Sequence, residues 1–279
     1  MTRLCATIAA CLLGTTAAMA QQSDLTIAIQ LEPPFLDPTA GAAGAIDSVL
    51  YSNVFEGLTK IVADGSVQPG LAERWEMSED ETTYTFHLRE GVTFHDGTAM
   101  DAEDVKFSLD RIQAEDSANA QKALYTAIED VTVIDPLTVE LRLSHPLGDL
   151  LFNLAWGDAV IVAPESVEGL NQTPIGTGPF RFEQWVQGDR IDLARYAEYW
   201  GEAPALDQVT FRFISDPTAA FAAMMAQDVD VFSGYPAPEN LPQFEADPRF
   251  NVTIGQSEGE TILAMNNKAA PLASPEVRA

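Results

Sequence analysis

The stretch "VTFRFISDPTAAFAAMMAQDVDVF" (Val209–Phe232) restricts the fold more than any other part of the chain. Val209–Ile214 alternates apolar and polar residues and reads as a strand. Asp216 followed by Pro217 is an N-cap with proline at the first helical position. The helix runs to about Gln227 and is predicted to bury Ala220, Phe221, Met224 and Met225. Val229–Phe232 is then a second strand, and Ser233–Pro236 ends it. Strand, helix and strand in about 24 residues form an α/β unit with a parallel pair.

The rest of the chain is punctuated in the same way. "DLTIAIQ" (Asp24–Gln30) is a strand stopped by Pro33 and Pro34, which cannot continue a ladder. Ala45–Thr59 has helical spacing through Ile46, Val49, Leu50, Val54 and Leu58. Asp64-Gly65 is a turn. Thr83–Leu88 and Val92–His95 alternate with period two around Arg89-Glu90-Gly91, which predicts a hairpin. Asp101, with Asp104 three residues on, is a capping-box start for a helix from Ala102 to about Gln113. Val131–Asp135, Thr138–Leu143, Val160–Ala163, Asn251–Ile254 and Thr261–Asn266 are further strand candidates, and Arg181–Trp185 with Arg190–Tyr196 forms a hairpin around Gly188-Asp189.

Arg3, the short apolar run Leu4–Leu13 and Ala18-Met19-Ala20 form a secretory leader over residues 1–20, so the mature chain is expected to start at Gln21. Ile8-Ala9-Ala10-Cys11 has the form of a lipoprotein cleavage site. It is discounted because the apolar run before Cys11 is very short. Both cysteines, Cys5 and Cys11, lie in the leader, so stability must come from the core. Hydrophobic residues make up 46% of 279, enough for a large core. Loss of the leader takes Lys+Arg from 15 to 14 against 42 Asp+Glu, which gives a mature net charge of −28. Nucleic acid and anionic lipid are poor partners for such a surface. A cationic ligand is attracted.

Motifs for catalysis are lacking. Gly176-Thr177-Gly178-Pro179 has no lysine for a phosphate loop, and its proline forbids the helix that should follow. There is no GxSxG elbow and no cysteine nucleophile outside the leader. His87 and His95, each after a phenylalanine, lack a third ligand at useful spacing and read as scaffold. Asp228-Val229-Asp230 lacks the rest of a calcium loop. A secreted hydrolase working through an acid pair is the reading from another class.

In order along the chain, "EPPFLDPTA" (Glu32–Ala40), "VFEGLTKIVADGSVQPGLAERWEMSED" (Val54–Asp80), "TYTFHLREGVTFHDGTAMDAEDVKFSLDR" (Thr83–Arg111), "PIGTGPFRFEQW" (Pro174–Trp185), "YAEYWGEAPALDQVTFRFISD" (Tyr196–Asp216) and "LAMNNKAAPLASPEVRA" (Leu263–Ala279) are distinctive. This order resembles the periplasmic solute-binding proteins of ABC transporters, the peptide- and nickel-binding family. The resemblance implies a class II, three-domain α/β fold. Domain I would comprise residues 24–45 and 173–264, and domain II residues 46–172. Residues 265–279 would cross a hinge at Asn266 and open domain III. Family members continue beyond this motif through a full third domain, which also carries the acid that pairs with a peptide ammonium. A fragment, or a truncated chain that does not work alone, is therefore a further reading.

The resemblance also implies a periplasmic, monomeric protein with no cofactor. It would capture a peptide, or alternatively nickel or another small solute, and deliver it to the transmembrane subunits of a permease. Ligands of open α/β sheets lie beyond the carboxyl ends of strands. That selects Glu32, Pro33, Pro34 and Phe35, then Ser233, Gly234 and Tyr235, then Ser257, Glu258 and Gly259. Glu32 and Glu258 would hold a cationic group, while Phe35 and Tyr235 would pack on side chains.

Overall fold

A computed structural model describes residues 23–41, 43–255, 266–271 and 273–278. It divides into two compact units, Met1–Pro236 and Ala237–Ala279. In the first, the order is β1 (Asp24–Ile29), α1 (Gly44–Leu50), β2 (Thr59–Ile61), β3 (Val67–Pro69), β4 (Ala72–Met77), β5 (Thr83–Leu88), α2 (Ala102–Gln113), β6 (Ile128–Asp135), β7 (Thr138–Leu143), α3 (Leu150–Asn153), β8 (Phe180–Val186), β9 (Arg190–Arg195), β10 (Gln208–Phe213), α4 (Pro217–Ala226) and β11 (Val231–Phe232).

Two sheets organise this unit. The larger has the strand order β11-β1-β10-β9-β8. β1 lies between β10 and β11 and runs parallel to both, with Leu25 opposite Val209 and Ile27 opposite Val231. The predicted strand–helix–strand unit is therefore present, with β1 inserted between its two strands. β8 and β9 form the predicted hairpin, and Gly188 takes φ +76° in its turn, where a Cβ is strained. The core beneath this sheet gathers Ile29, Ile46, Val49, Phe55, Val162, Ile191, Leu193 and Phe211.

The second sheet is antiparallel, in the order β4-β5-β7-β6. Its β5 shows the period-two pattern directly: Tyr84, Phe86 and Leu88 are buried and the residues between them are half-buried. α2 packs against β6 and β7. It starts as predicted. Asp101 accepts from the Glu103 amide at 2.8 Å, and Asp104 accepts from the Asp101 amide at 2.9 Å. Val105, Leu109 and Ile112 then face the core, one helical turn apart.

Several expectations fail, each for a local reason. The predicted Thr83–His95 hairpin does not form. β5 instead pairs with β4 on one side and β7 on the other. The turn at Gly91 (φ +74°) carries Val92–His95 away, leaving a single bridge between Thr93 and Ala99. The helix predicted over Ala45–Thr59 stops at Leu50. Tyr51 is extended, Ser52 has φ +60°, and the Val54 and Phe55 amides both return to the Leu50 carbonyl. Val160–Ala163 is buried as expected but makes only an isolated bridge, from Val160 to Gly57. On α4 only Ala220 is buried, while Phe221, Met224 and Met225 are half-buried.

In the second unit, α5 (Leu241–Glu245) buries Phe244, whose ring meets Phe250 edge-on at 5.1 Å. A short α6 (Pro275–Arg278) lies near the end. Asn251–Ile254 forms no strand. The candidate strand Thr261–Asn266 lies outside the described residues except for Asn266, as does the leader.

Candidate ligand-binding edge

The parallel arrangement fixes where loops collect. β1, β10 and β11 end at Ile29, Phe213 and Phe232, all toward one edge. β9 runs antiparallel, with Arg190 opposite Arg212, so the β8–β9 turn reaches the same edge. Glu32–Phe35, Gly188-Asp189, Ile214–Asp216 and Ser233–Tyr235 therefore form a common rim.

Glu32 organises this rim. One carboxylate oxygen, Oε1, accepts from the Trp185 indole at 2.8 Å and from the Gly188 amide at 2.9 Å. Half-buried, it fastens the loop after β1 to the hairpin turn. Pro33 is buried and Pro34 exposed. Phe35 is half-buried and lies over Gly41, where a Cβ would stand 2.6 Å from the Phe35 Cζ. Across β1, the Gln30 side chain donates to the Gly234 carbonyl, and the Ser233 amide donates to the Ala28 carbonyl at 3.0 Å. Gly234 takes φ +65°, which turns the chain off the end of β11. Ser233 and Gly234 are exposed, and Tyr235 is half-buried with its ring edge-on to Phe232 at 5.3 Å.

Two of the three predicted loops thus meet at one edge. The third, Ser257, Glu258 and Gly259, lies outside the described residues. Asn266 is exposed, and its side chain accepts from the Lys268 amide at 3.0 Å in a local turn.

Sequence reasoning missed the role of Trp185 and Gly188, because nothing local marks an indole as the partner of a glutamate 153 positions away. It also missed Glu56. This carboxylate accepts from Thr177 Oγ1 at 2.9 Å, Tyr199 at 2.9 Å and the Trp200 indole at 2.8 Å. Burial pushes its pKa up against these three donors. The one signal was a glutamate set among Val54, Phe55 and Leu58.

His95 serves the loop that holds this cluster. Its Nε2 lies 2.9 Å from the Gly178 carbonyl, and the Gly176 amide points to its Nδ1 at 3.4 Å. That pairing requires the tautomer with hydrogen on Nε2. Burial lowers the imidazole pKa to about 4, so the ring is neutral. His87 faces Glu76 instead, at 3.4 Å. Among the described residues no three potential metal-ligating side chains come together. Nearby, Arg111 from α2 donates to the buried Asp37 at 2.8 Å and also to Thr39, tying the loop after β1 to the helix.

A family model for bacterial extracellular solute-binding proteins, family 5 Middle, matches residues 66–279. The chain is 30% identical over 261 residues to the glutathione-binding protein GsiB of Salmonella paratyphi A, across 91% of this chain and 50% of that one. It is 30% identical over 302 residues to the dipeptide-binding protein of Escherichia coli K12, across 95% and 54%. Among solved structures, the binding protein MoaA of A. tumefaciens R10 in complex with mannopinic acid superposes with a TM-score of 0.81 at 26% identity, over 92% of this chain and 54% of that one. DppA of Helicobacter pylori, in complex with the peptide STSA, gives 0.73 at 26%, over 81% and 49%. The chain spans about half the length of the curated relatives it matches. The expected α/β periplasmic-binding-protein fold is the one observed. With the sheet order, the shared fold and a family match across residues 66–279 in agreement, this chain belongs to the bacterial extracellular solute-binding proteins of family 5.

Proposed function

We propose that this chain is the solute-capturing component of an ABC importer, working in the periplasm and handing its ligand to the permease without chemical change. Its ligand class is a peptide or a peptide-like small solute, as in the glutathione-, dipeptide- and peptide-binding relatives. The observation that carries this is the rim at the carboxyl edge of the parallel strands, where Glu32–Phe35 and Ser233–Tyr235 converge. β11 is an edge strand of its sheet, and its free side, with the exposed Ser233 and Gly234 at its end, suits an extended peptide added as a strand. Phe35 and Tyr235 offer apolar contact. Glu32 Oε2 offers a negative charge to an ammonium group.

In this reading residues 24–45 and 173–264 form one lobe, residues 46–172 brace it, and residues 265–279 lead toward a facing lobe through Asn266. Capture follows from differential affinity: the ligand favours the closed arrangement of the lobes because it touches both.

Isothermal calorimetry with pools of dipeptides and tripeptides, glutathione and a nickel–histidine complex tests the proposal, with mass spectrometry of the recovered ligand. Saturable binding with intact ligand supports it. Ligand consumption overturns it in favour of a hydrolase. Selective uptake of the nickel complex, with peptides ignored, moves the ligand class to a metal chelate.

A further inference from the structure

The stretch Leu31–Phe35 is held by hydrogen bonds at a single residue. Before it, the Ile29 carbonyl accepts from the Ile214 amide at 2.9 Å, and the Gln30 side chain donates to the Gly234 carbonyl. After it, the Leu36 amide donates to the Asn171 carbonyl at 3.1 Å. Between these anchors, among the described residues, the only hydrogen bonds are the two that Glu32 Oε1 accepts, from Trp185 Nε1 at 2.8 Å and from the Gly188 amide at 2.9 Å.

Pro33 and Pro34 have fixed φ and no amide hydrogen, so the stretch pivots as a stiff piece about its anchors. Leu31 is 69% exposed and Pro34 is exposed, so packing does little to hold them. Phe35 and Trp185 both pack on the core beneath the larger sheet. That core sets the Trp185 ring, and the ring's N–H in turn sets Glu32. Two donors on one oxygen fix the plane of the carboxylate, and Oε2 is the oxygen left for a ligand.

We propose that Trp185 is the positioning residue of this edge. Acting through Glu32, it sets the pose of Leu31–Phe35 and aims the carboxylate at the ammonium group of the ligand. This rests on the reading of the edge as a ligand site, and it narrows the ligand class to peptides and related amino compounds with a free ammonium group.

Trp185→Phe keeps a ring on the core and removes the N–H. Calorimetry of the purified chain with the dipeptide Ala-Phe and with N-acetyl-Ala-Phe tests the proposal, beside hydrogen exchange at the Gly188 amide. The wild type should prefer Ala-Phe. In Trp185→Phe the affinity for Ala-Phe should fall about tenfold, the size of one hydrogen bond to a charged group, with that for the acetylated form unchanged. The Gly188 amide should exchange faster in the same variant. Glu32→Gln retains an acceptor oxygen, so it should lose the preference and keep Gly188 protected. Adding Trp185→Phe to Glu32→Gln should then cost no further discrimination. An equal loss for both peptides in Trp185→Phe would leave Trp185 a packing residue and overturn the proposal. So would Gly188 exchange as slow in Glu32→Ala as in the wild type, a measurement that stands even if Trp185→Phe does not fold. A wild type that binds both peptides equally also overturns it. A wild type that binds neither overturns the reading of the edge as a ligand site, and this assignment with it.

Discussion

At the scale of single residues, the chain depends on groups placed where no substitute fits. A Cβ on Gly176 would stand 2.0 Å from the Val54 carbonyl oxygen, and one on Gly178 would stand 2.3 Å from that of Asn53. Both neighbours are main chain and cannot move alone. Gly176→Ala should therefore lower the unfolding free energy by about 3 kcal/mol, measured by urea denaturation. His95 sets a pH dependence. Its folded pKa of about 4 lies below the ordinary 6.5. The unfolded chain thus takes the proton first, and this contribution to stability is present above pH 6.5 and lost as pH falls toward 4. Asp104 and Asp158, both raised to about 6 by burial, act in the opposite sense: their contribution is present at low pH and lost as pH rises through 6. The difference between wild type and His95→Gln isolates the histidine. It should narrow steadily between pH 6.5 and 4, with wild type losing its advantage. A pH-independent difference would refute the buried neutral ring.

At the scale of elements, local chemistry explains starts better than ends. α2 begins at a reciprocal cap that can be read from Asp101 and Asp104 alone. Asp101→Ala should cost about 1 kcal/mol, seen as a lower urea midpoint with unchanged m-value. A change in m would mean that more than the cap is lost. α1 ends for a reason no helical pattern contains. Pro174–Pro179 packs its two glycines against the main chain at Asn53 and Val54, and the helix cannot extend into that space. β5 is similar. Its alternating pattern was legible, but its partners were not, because the best cross-strand faces for Phe86 are Trp75 on β4 and Val139 on β7. A turn glycine after a strand permits a hairpin without requiring one.

At the scale of the whole molecule, charge is the dominant global variable. With 42 acids against 15 bases, self-repulsion opposes the compact state. Salt screens charges separated by more than about 10 Å at 0.1 M. Raising sodium chloride from 10 mM to 300 mM should therefore raise the Tm by a few degrees, while the exposed ion pair Lys106–Asp110 loses little. A Tm that falls with salt would mean that local ion pairs outweigh the net field. The rim is a property of this scale too. Glu32 and Trp185 meet only because β1, β10, β9 and β8 stack in that order.

Periods, caps and turns were legible along the chain: β1, the β8–β9 hairpin, the strand–helix–strand run to β11, and the start of α2. These depend on side chains within a few residues of one another, so a short window contains their whole cause. Tertiary structure alone decided which strands pair with β5, where α1 stops, and that Glu32 holds a hairpin rather than standing free in solvent. Those outcomes rest on contacts between segments far apart in the chain. Their free energy appears only once the loop entropy has been spent, and no local pattern records it.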